Sequence, residues 1–73
     1  ATHSPRLTRH QQAVFDSLHQ QAAALSAQEL YSLLRRRQAI GLATVYRALE
    51  TLKLHGLIKS RMGTNGEALY SLV

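Results

Sequence analysis

Apolar side chains recur at helical spacing near the beginning of the chain. They fall at i, i+4 and i+8 and so share one side of a helix: Val14, Leu18 and Ala22. Thr8 and Gln11 have the spacing of a capping box, and Leu7 stands where a hydrophobic staple is expected. The pattern predicts a helix that begins after Thr8 and ends within the alanine run 22–24.

A second capping box, Ser26 with Glu29, predicts a helix over 27–37. Its apolar positions lie within about a third of the circumference: Ala27, Leu30, Leu33 and Leu34. The basic run 35–37 falls in the predicted last turn, where the helix dipole favours positive charge. We therefore expect these arginines to be a solvated helix end, with DNA contact as the alternative.

After a short connection over 38–41, a third apolar periodicity predicts a helix from about Leu42 to His55, with Gly56 at its C′ position. The period then changes to two. Strands are predicted over 57–62 and 67–73, with Asn65-Gly66 as the hairpin signal between them.

This order of elements predicts a fold that is mainly α with a small antiparallel β-hairpin, a winged helix-turn-helix. We expect one domain over 1–73, with a flexible arm over 1–6, the helix-turn-helix over 27–55 and the wing hairpin over 57–73.

The predicted third helix has two different sides. One side is apolar: Leu42, Val45, Ala48, Leu49 and Leu52. The other begins at the N-terminal end of the helix and carries a stripe of four residues, the α3 stripe: Ala43, Tyr46, Arg47 and Glu50. In a helix-turn-helix, this end of the second helix meets base edges in the major groove. We therefore expect the stripe to be a DNA-contacting surface.

Each member of the α3 stripe has chemistry suited to a groove. Arg47 can donate two hydrogen bonds to guanine, and Tyr46 can lie against a thymine methyl group. Ala43 permits close approach, and Thr44 beside the stripe can donate to a phosphate. Glu50 either accepts from cytosine or repels phosphate. Tyr46 and Arg47 can instead be an ordinary core-edge tyrosine and a solvated arginine.

Charge supports a polyanionic partner. The 73 residues include nine Lys and Arg against four Asp and Glu, a formal net charge of +5. In the wing, Lys59, Arg61, Thr64 and Asn65 can reach the DNA backbone or an adjacent minor groove. Near the first helix, Arg6 and Arg9 can serve similarly. The alternative for all these residues is a solvated surface that closes the core and keeps a small protein soluble.

Other chemistry is not indicated. Without cysteine the chain has no thiolate site, and its four histidines lack i, i+3 or i, i+4 pairing. The acids are dispersed, and no phosphate-binding glycine loop is present. We expect no enzymatic activity and no metal site. No apolar run approaches the roughly 20 residues that span a bilayer, so we expect a cytoplasmic protein without membrane contact.

Four segments together resemble the N-terminal DNA-binding domain of the ferric uptake regulator family: "RLTRHQQAVFDSL", "LSAQELYSLLRRR", "IGLATVYRALETLKLHGLIKS" and "NGEALYSL". The resemblance extends from Arg6 to Leu72, and its most specific part is 43–47. It implies a metal-responsive regulator, usually a repressor, that binds palindromic, AT-rich operators as a homodimer. It also implies operator contacts from Tyr46 and Arg47, and a minor-groove contact from Arg6.

The resemblance implies zinc or iron in the intact protein, but this chain departs from the family pattern. The family's interdomain metal ligands, a histidine and a glutamate, correspond to Ala24 and Ser71. The cysteine-rich dimerisation half is not in the sequence, so we expect no cofactor in this stretch. The competing hypothesis is a winged-helix module that binds another protein, which predicts a neutral or apolar outer side on the third helix.

Overall fold

The computed structural model describes residues 7–73, so the predicted arm over 1–6, with Arg6, lies outside the described residues. Three helices and three strands follow one another along this range: α1 Arg9–Gln21, β1 Leu25–Ser26, α2 Ala27–Leu34, α3 Leu42–Leu54, β2 Ile58–Met62 and β3 Ala68–Leu72. None of the helices within 7–73 has the length and apolar character needed to cross a membrane.

The first helix begins at its predicted capping box. The Thr8 backbone N–H donates to Gln11 Oε1 at 3.0 Å, and the Gln11 N–H donates to Thr8 Oγ1 at 3.3 Å. The helix ends at Gln21, because Ala22 adopts a left-handed conformation with φ of 51°. Ala22 is exposed at this cap, so its predicted place on the buried side with Val14 is wrong.

The second helix also begins at its predicted capping box, where the Glu29 N–H donates to Ser26 Oγ at 3.1 Å. It ends at Leu34, and the prediction that it continues to Arg37 is wrong. The backbone N–H groups of Arg37 and Gln38 both donate to the Leu34 carbonyl, at 2.9 and 3.1 Å, which closes a turn. The arginine run 35–37 therefore lies in the turn between helices and not in a helical last turn.

Leu33 is 36% exposed, which corrects its predicted burial. Ala27, Leu30 and Leu34 define the buried side of α2, and Leu33 lies about 90° around the helix from the middle of that side. The predicted apolar side of α2 included Leu33, but the side of α2 that packs against the rest of the protein is narrower and leaves Leu33 exposed.

The wing is part of a three-stranded antiparallel sheet with strand order β1-β3-β2. The predicted hairpin is present, with Ile58 opposite Leu72 and Ser60 opposite Tyr70. Its turn is closed by the Gly63 N–H, which donates to the Glu67 carbonyl at 2.7 Å. The third strand, β1, was not predicted, because a segment of two residues has no measurable period.

A single apolar cluster joins the helices to the sheet. It consists of buried residues from every helix and from β2 and β3: Val14, Leu18, Ala27, Leu30, Leu34, Val45, Ala48, Leu49, Leu52, Ile58 and Tyr70. Val45, Leu49 and Leu52 of α3 have no exposed surface. Each such burial contributes about 1.5–3 kcal/mol. Since α3 packs on α1, α2 and β2, its buried side holds the opposite side towards solvent.

Candidate nucleic-acid interface

The α3 stripe lies on the exposed side of its helix. Tyr46 is 46% exposed, and Ala43, Arg47 and Glu50 are also exposed. Thr44, beside the stripe, is half-buried. The structure therefore brings the four stripe residues together on one solvent-facing surface, as their spacing requires, and places Thr44 at its half-buried edge.

The beginning of α3 differs from the beginnings of the other two helices. Thr8 and Ser26 cap α1 and α2 with side-chain hydrogen bonds, whereas the N-cap of α3 is Gly41 and makes none. The first turn of α3, like that of α1, contains no acidic residue, whereas the first turn of α2 contains Glu29. The first backbone N–H groups of a helix have no partner within the helix. In α3 they remain available to an acceptor from outside, at the end of the helix where the stripe begins.

The charges on α3 are only weakly paired. Lys53 Nζ lies 3.9 Å from Glu50 Oε2, with the lysine and glutamate side chains 39% and 66% exposed. An exposed pair of this kind contributes little to stability. Arg47 makes no ion pair with any residue within 7–73. Its guanidinium is therefore free, among these residues, to bind a ligand.

Tyr70 belongs to this neighbourhood although the sequence did not identify it. Burial raises the pKa of the Tyr70 phenol, and the nearby Glu50 carboxylate and Tyr46 hydroxyl raise it further. Because α3 packs on β2, and Ser60 of that strand is opposite Tyr70, this part of the sheet lies beside α3. Met62, two positions beyond Ser60 on the same side of β2, is 68% exposed. No spacing rule within the chain pointed to these strand residues.

Lys59 and Arg61 lie on the other face of the sheet. Side chains alternate along a strand, and Ile58, opposite Leu72, points into the core. Lys59 is opposite Ser71 on the outer face, and Arg61 shares that face. These three residues line a groove of about 530 Å³ with the alanine run 22–24, here called the outer groove.

The outer groove is remote from the beginning of α1. It adjoins Ala22, just after the end of that helix, whereas the exposed side of α3 forms a hollow with Thr8 and Gln11 at its start. The 13 residues of α1 measure about 20 Å. The structure therefore does not bring Lys59 and Arg61 together with the α3 stripe. Arg9 is exposed as the first residue of α1, and Thr64 and Asn65 are exposed in the hairpin turn.

The positions of the family's interdomain metal ligands meet in the outer groove. Ala24 and Ser71 both line it, but its lining includes no His, Cys, Asp or Glu. Within 7–73, no three such residues lie close enough together to hold a metal ion. Lys59 stands directly opposite Ser71, so the groove presents a cation where a metal would need an anionic ligand. The residues present do not fit a metal.

Comparison with known proteins agrees with the family resemblance seen in the sequence. The model of the ferric uptake regulator family matches residues 2–73. The chain is 41% identical over 66 residues to the zinc uptake regulation protein of Mycobacterium tuberculosis, covering 89% of this chain and 51% of that protein. The chain thus spans about half the length of the curated relatives it matches.

Solved structures confirm the predicted winged helix-turn-helix fold. The Vibrio cholerae ferric uptake regulator (Fur) superposes with a TM-score of 0.83 at 30% identity, covering 93% of this chain and 53% of that one. FurB of M. tuberculosis, described as a zinc uptake regulator, gives 0.79 at 38% identity, covering 88% and 50%. With a family model that matches nearly the whole chain, this protein belongs to the ferric uptake regulator family.

Proposed function

We propose that this chain is the DNA-binding part of a metal-responsive transcription regulator, with α3 entering the major groove of its operator. The observation that carries the proposal is the α3 stripe. A helix buried along one side presents Tyr46 and Arg47 to solvent on the other, next to an uncapped N-terminus. The membership of the ferric uptake regulator family supports the same function.

The α3 residues have distinct roles in this proposal. Arg47 donates to the O6 and N7 atoms of a guanine, a geometry that requires an unpaired guanidinium. The Tyr46 ring packs against a thymine methyl group, and Ala43 lets the helix approach the bases. Thr44 and the first N–H groups of α3 donate to a phosphate. Glu50 accepts from cytosine N4 at the far end of the stripe.

The basic residues outside α3 supply backbone contacts. Arg9 at the beginning of α1, and Arg6 before it, contact phosphates and the adjacent minor groove in this proposal. Lys59 and Arg61 lie on the outer face of the sheet, so they reach only phosphates that pass around the edge of the wing. These contacts add affinity and little sequence information.

The metal response and the dimer belong to the proposal for the whole protein. The relatives are zinc uptake regulators and Fur proteins of about twice this length, so we infer a homodimeric repressor that responds to zinc or iron. Two copies of α3 on a palindromic, AT-rich operator would lie one helical turn apart, about 34–36 Å. Neither catalysis nor metal binding is assigned to the residues of this chain.

Salt dependence of duplex binding tests this function. We expect the chain to bind a random duplex at low salt, with log K falling linearly against log salt by about 0.9 per phosphate contact. Fluorescence anisotropy at four salt concentrations measures the slope. A chain that binds no duplex even at low salt would favour the protein-interaction module instead. That alternative predicts a neutral or apolar outer side on α3, where Arg47, Glu50 and Lys53 are found.

A further inference from the structure

A small hollow separates the beginning of α1 from the exposed side of α3. Its volume is about 270 Å³. Polar residues of both helices line it: Thr8, His10 and Gln11 from α1, and Thr44, Arg47 and Thr51 from α3. The hollow therefore joins two residues assigned to DNA binding, Thr44 and Arg47, to a histidine that the proposed function leaves unused.

Several hydrogen-bond donors in the hollow have no partner within residues 7–73. The Thr51 hydroxyl donates to the Arg47 carbonyl at 3.1 Å, so it is already engaged. Gln11 uses its Oε1 atom as the acceptor of the α1 capping box, which leaves its amide N–H₂ group unbonded in the described chain. The Thr44 hydroxyl, the His10 imidazole and the Arg47 guanidinium likewise make no side-chain hydrogen bond there.

The charge of the hollow has one sign. No carboxylate lines it. The acid nearest to His10 along α1, Asp16, accepts a hydrogen bond from Gln12 Nε2 at 2.9 Å, and Glu50 on α3 lies close to Lys53. Arg9 precedes His10 and adds positive charge. A cluster of unengaged donors with a fixed cation and no acid suits an anion with several acceptor oxygens.

We propose that this hollow binds a backbone phosphate of the duplex and that His10 is a DNA-contacting residue. The inference rests on the proposed function, because the phosphate is that of the DNA on which the α3 stripe docks. Arg47 lines the hollow and also belongs to the α3 stripe, so its side chain lies between the proposed phosphate site and the proposed base contact. Thr44 and Gln11 donate to the same phosphate, and His10 does so most strongly when its imidazole is charged.

This assignment predicts a pH dependence of DNA binding. Histidine gains its positive charge within the range from about pH 8 to pH 5. The groups that face His10 are Thr8 and Gln11 at the beginning of α1 and Thr44, Arg47 and Thr51 on α3, which include one cation and no carboxylate. Affinity for a random duplex should therefore rise as the pH falls from about 8 to about 6.

The test compares His10→Ala with a matched control at the other end of the same helix. His19 is exposed in the last turn of α1, so His19→Ala removes a histidine without touching the hollow. Anisotropy with a random duplex at about pH 6 and pH 8 gives the affinities. We expect His10→Ala to weaken binding about three- to tenfold at the lower pH and far less at the higher, with His19→Ala unchanged.

A third variant, His10→Gln, and a measurement with inorganic phosphate distinguish binding of the duplex phosphate from the other outcomes. His10→Gln keeps a hydrogen-bond donor that cannot carry a charge, so it should retain most of the affinity at the higher pH and lose the pH dependence. Equal effects of His10→Ala and His19→Ala would overturn the inference while leaving DNA binding intact. If millimolar inorganic phosphate shifts the His10 imidazole NMR signals but the duplex does not, the hollow binds free anions only, which also overturns it. If wild type binds no duplex, the proposed function fails as well.

Discussion

Two basic regions of this protein look equivalent in sequence and differ in structure. The α3 stripe lies beside the hollow and presents Arg47, which makes no ion pair within residues 7–73, on a helix whose other side is buried at Val45, Ala48, Leu49 and Leu52. The outer groove presents two cations, Lys59 and Arg61, beside three alanines, two serines and two leucines. Both cations lie on the sheet face opposite to the one that carries Tyr70. The helical pattern identified the first region and positive charge the second, and only the first places a cation on the helix that is proposed to enter the major groove.

The comparison teaches that the position of a charge on its element decides what it can contact. A shift of one residue along β2 moves a side chain from one face of the sheet to the other. Ser60 and Met62 share the side of β2 that carries the buried Ile58, and the two cations lie on the other side. We therefore expect mutations in the α3 stripe to change sequence preference, and mutations in the outer groove to change, at most, general affinity.

The largest effect should come from the packing that supports both regions. Leu49 is completely buried in α3, and Leu49→Ala should lower the free energy of unfolding by about 2–5 kcal/mol. Urea denaturation monitored by circular dichroism measures it. Leu54, 87% exposed on the same helix, supplies the control, because Leu54→Ala removes the same atoms from solvent-exposed surface. Equal stabilities of the two variants would contradict the assigned orientation of α3.

Next in size is the loss of base discrimination. Arg47→Ala should weaken operator binding by about 1–3 kcal/mol and relax the preference at one base position. The measurement is the ratio of affinities for the operator and a scrambled duplex. Lys59→Ala is the control, because Lys59 lies on the outer face of the sheet and its loss should weaken binding to the operator and to the scrambled duplex alike. An unchanged ratio in Arg47→Ala would show that the guanidinium does not contact a base.

A smaller effect is expected from the basic residues outside α3. Replacing Arg6 or Lys59 with Ala should weaken the binding of all duplexes alike. Each replacement should also reduce the slope of log K against log salt by about one unit, because one cation no longer neutralises a phosphate. Arg9→Ala allows the two regions to be compared, because Arg9 is the first residue of α1. The beginning of that helix lines the hollow beside the α3 stripe. A normal slope in Lys59→Ala beside a reduced slope in Arg9→Ala would exclude the outer groove from the interface.

The smallest effect is expected when zinc is added to this chain. Tight structural zinc binding needs about four well-placed ligands, and the outer groove offers alanine, serine and cations instead. Calorimetry with zinc should show no tight site, and sedimentation at micromolar concentration should show a monomer. Binding of one zinc per chain would place metal sensing within these residues after all, and a stable dimer would place assembly there.

The sequence alone determined those features that depend on neighbours three or four residues apart. The capping boxes at Thr8 and Ser26 set where two helices begin, since both partners lie within one turn. The apolar period of α3 set its buried side and so its exposed stripe. Asn65-Gly66 marked the hairpin turn for the same local reason. Family resemblance then supplied the function that such a stripe serves.

Tertiary structure decided what depends on residues far apart in the chain. The pairing of Leu25 with Tyr70 created β1, which two residues cannot indicate by their pattern. The turn at 35–37 ended α2 early, because its backbone hydrogen bonds return to Leu34. Packing of α1 on α3 brought His10 to Arg47. Leu25 and Tyr70, like His10 and Arg47, are far apart in the sequence and come together because their helices and strands bury apolar sides against one another. The periodicity within a single helix or strand cannot predict which other element it packs against.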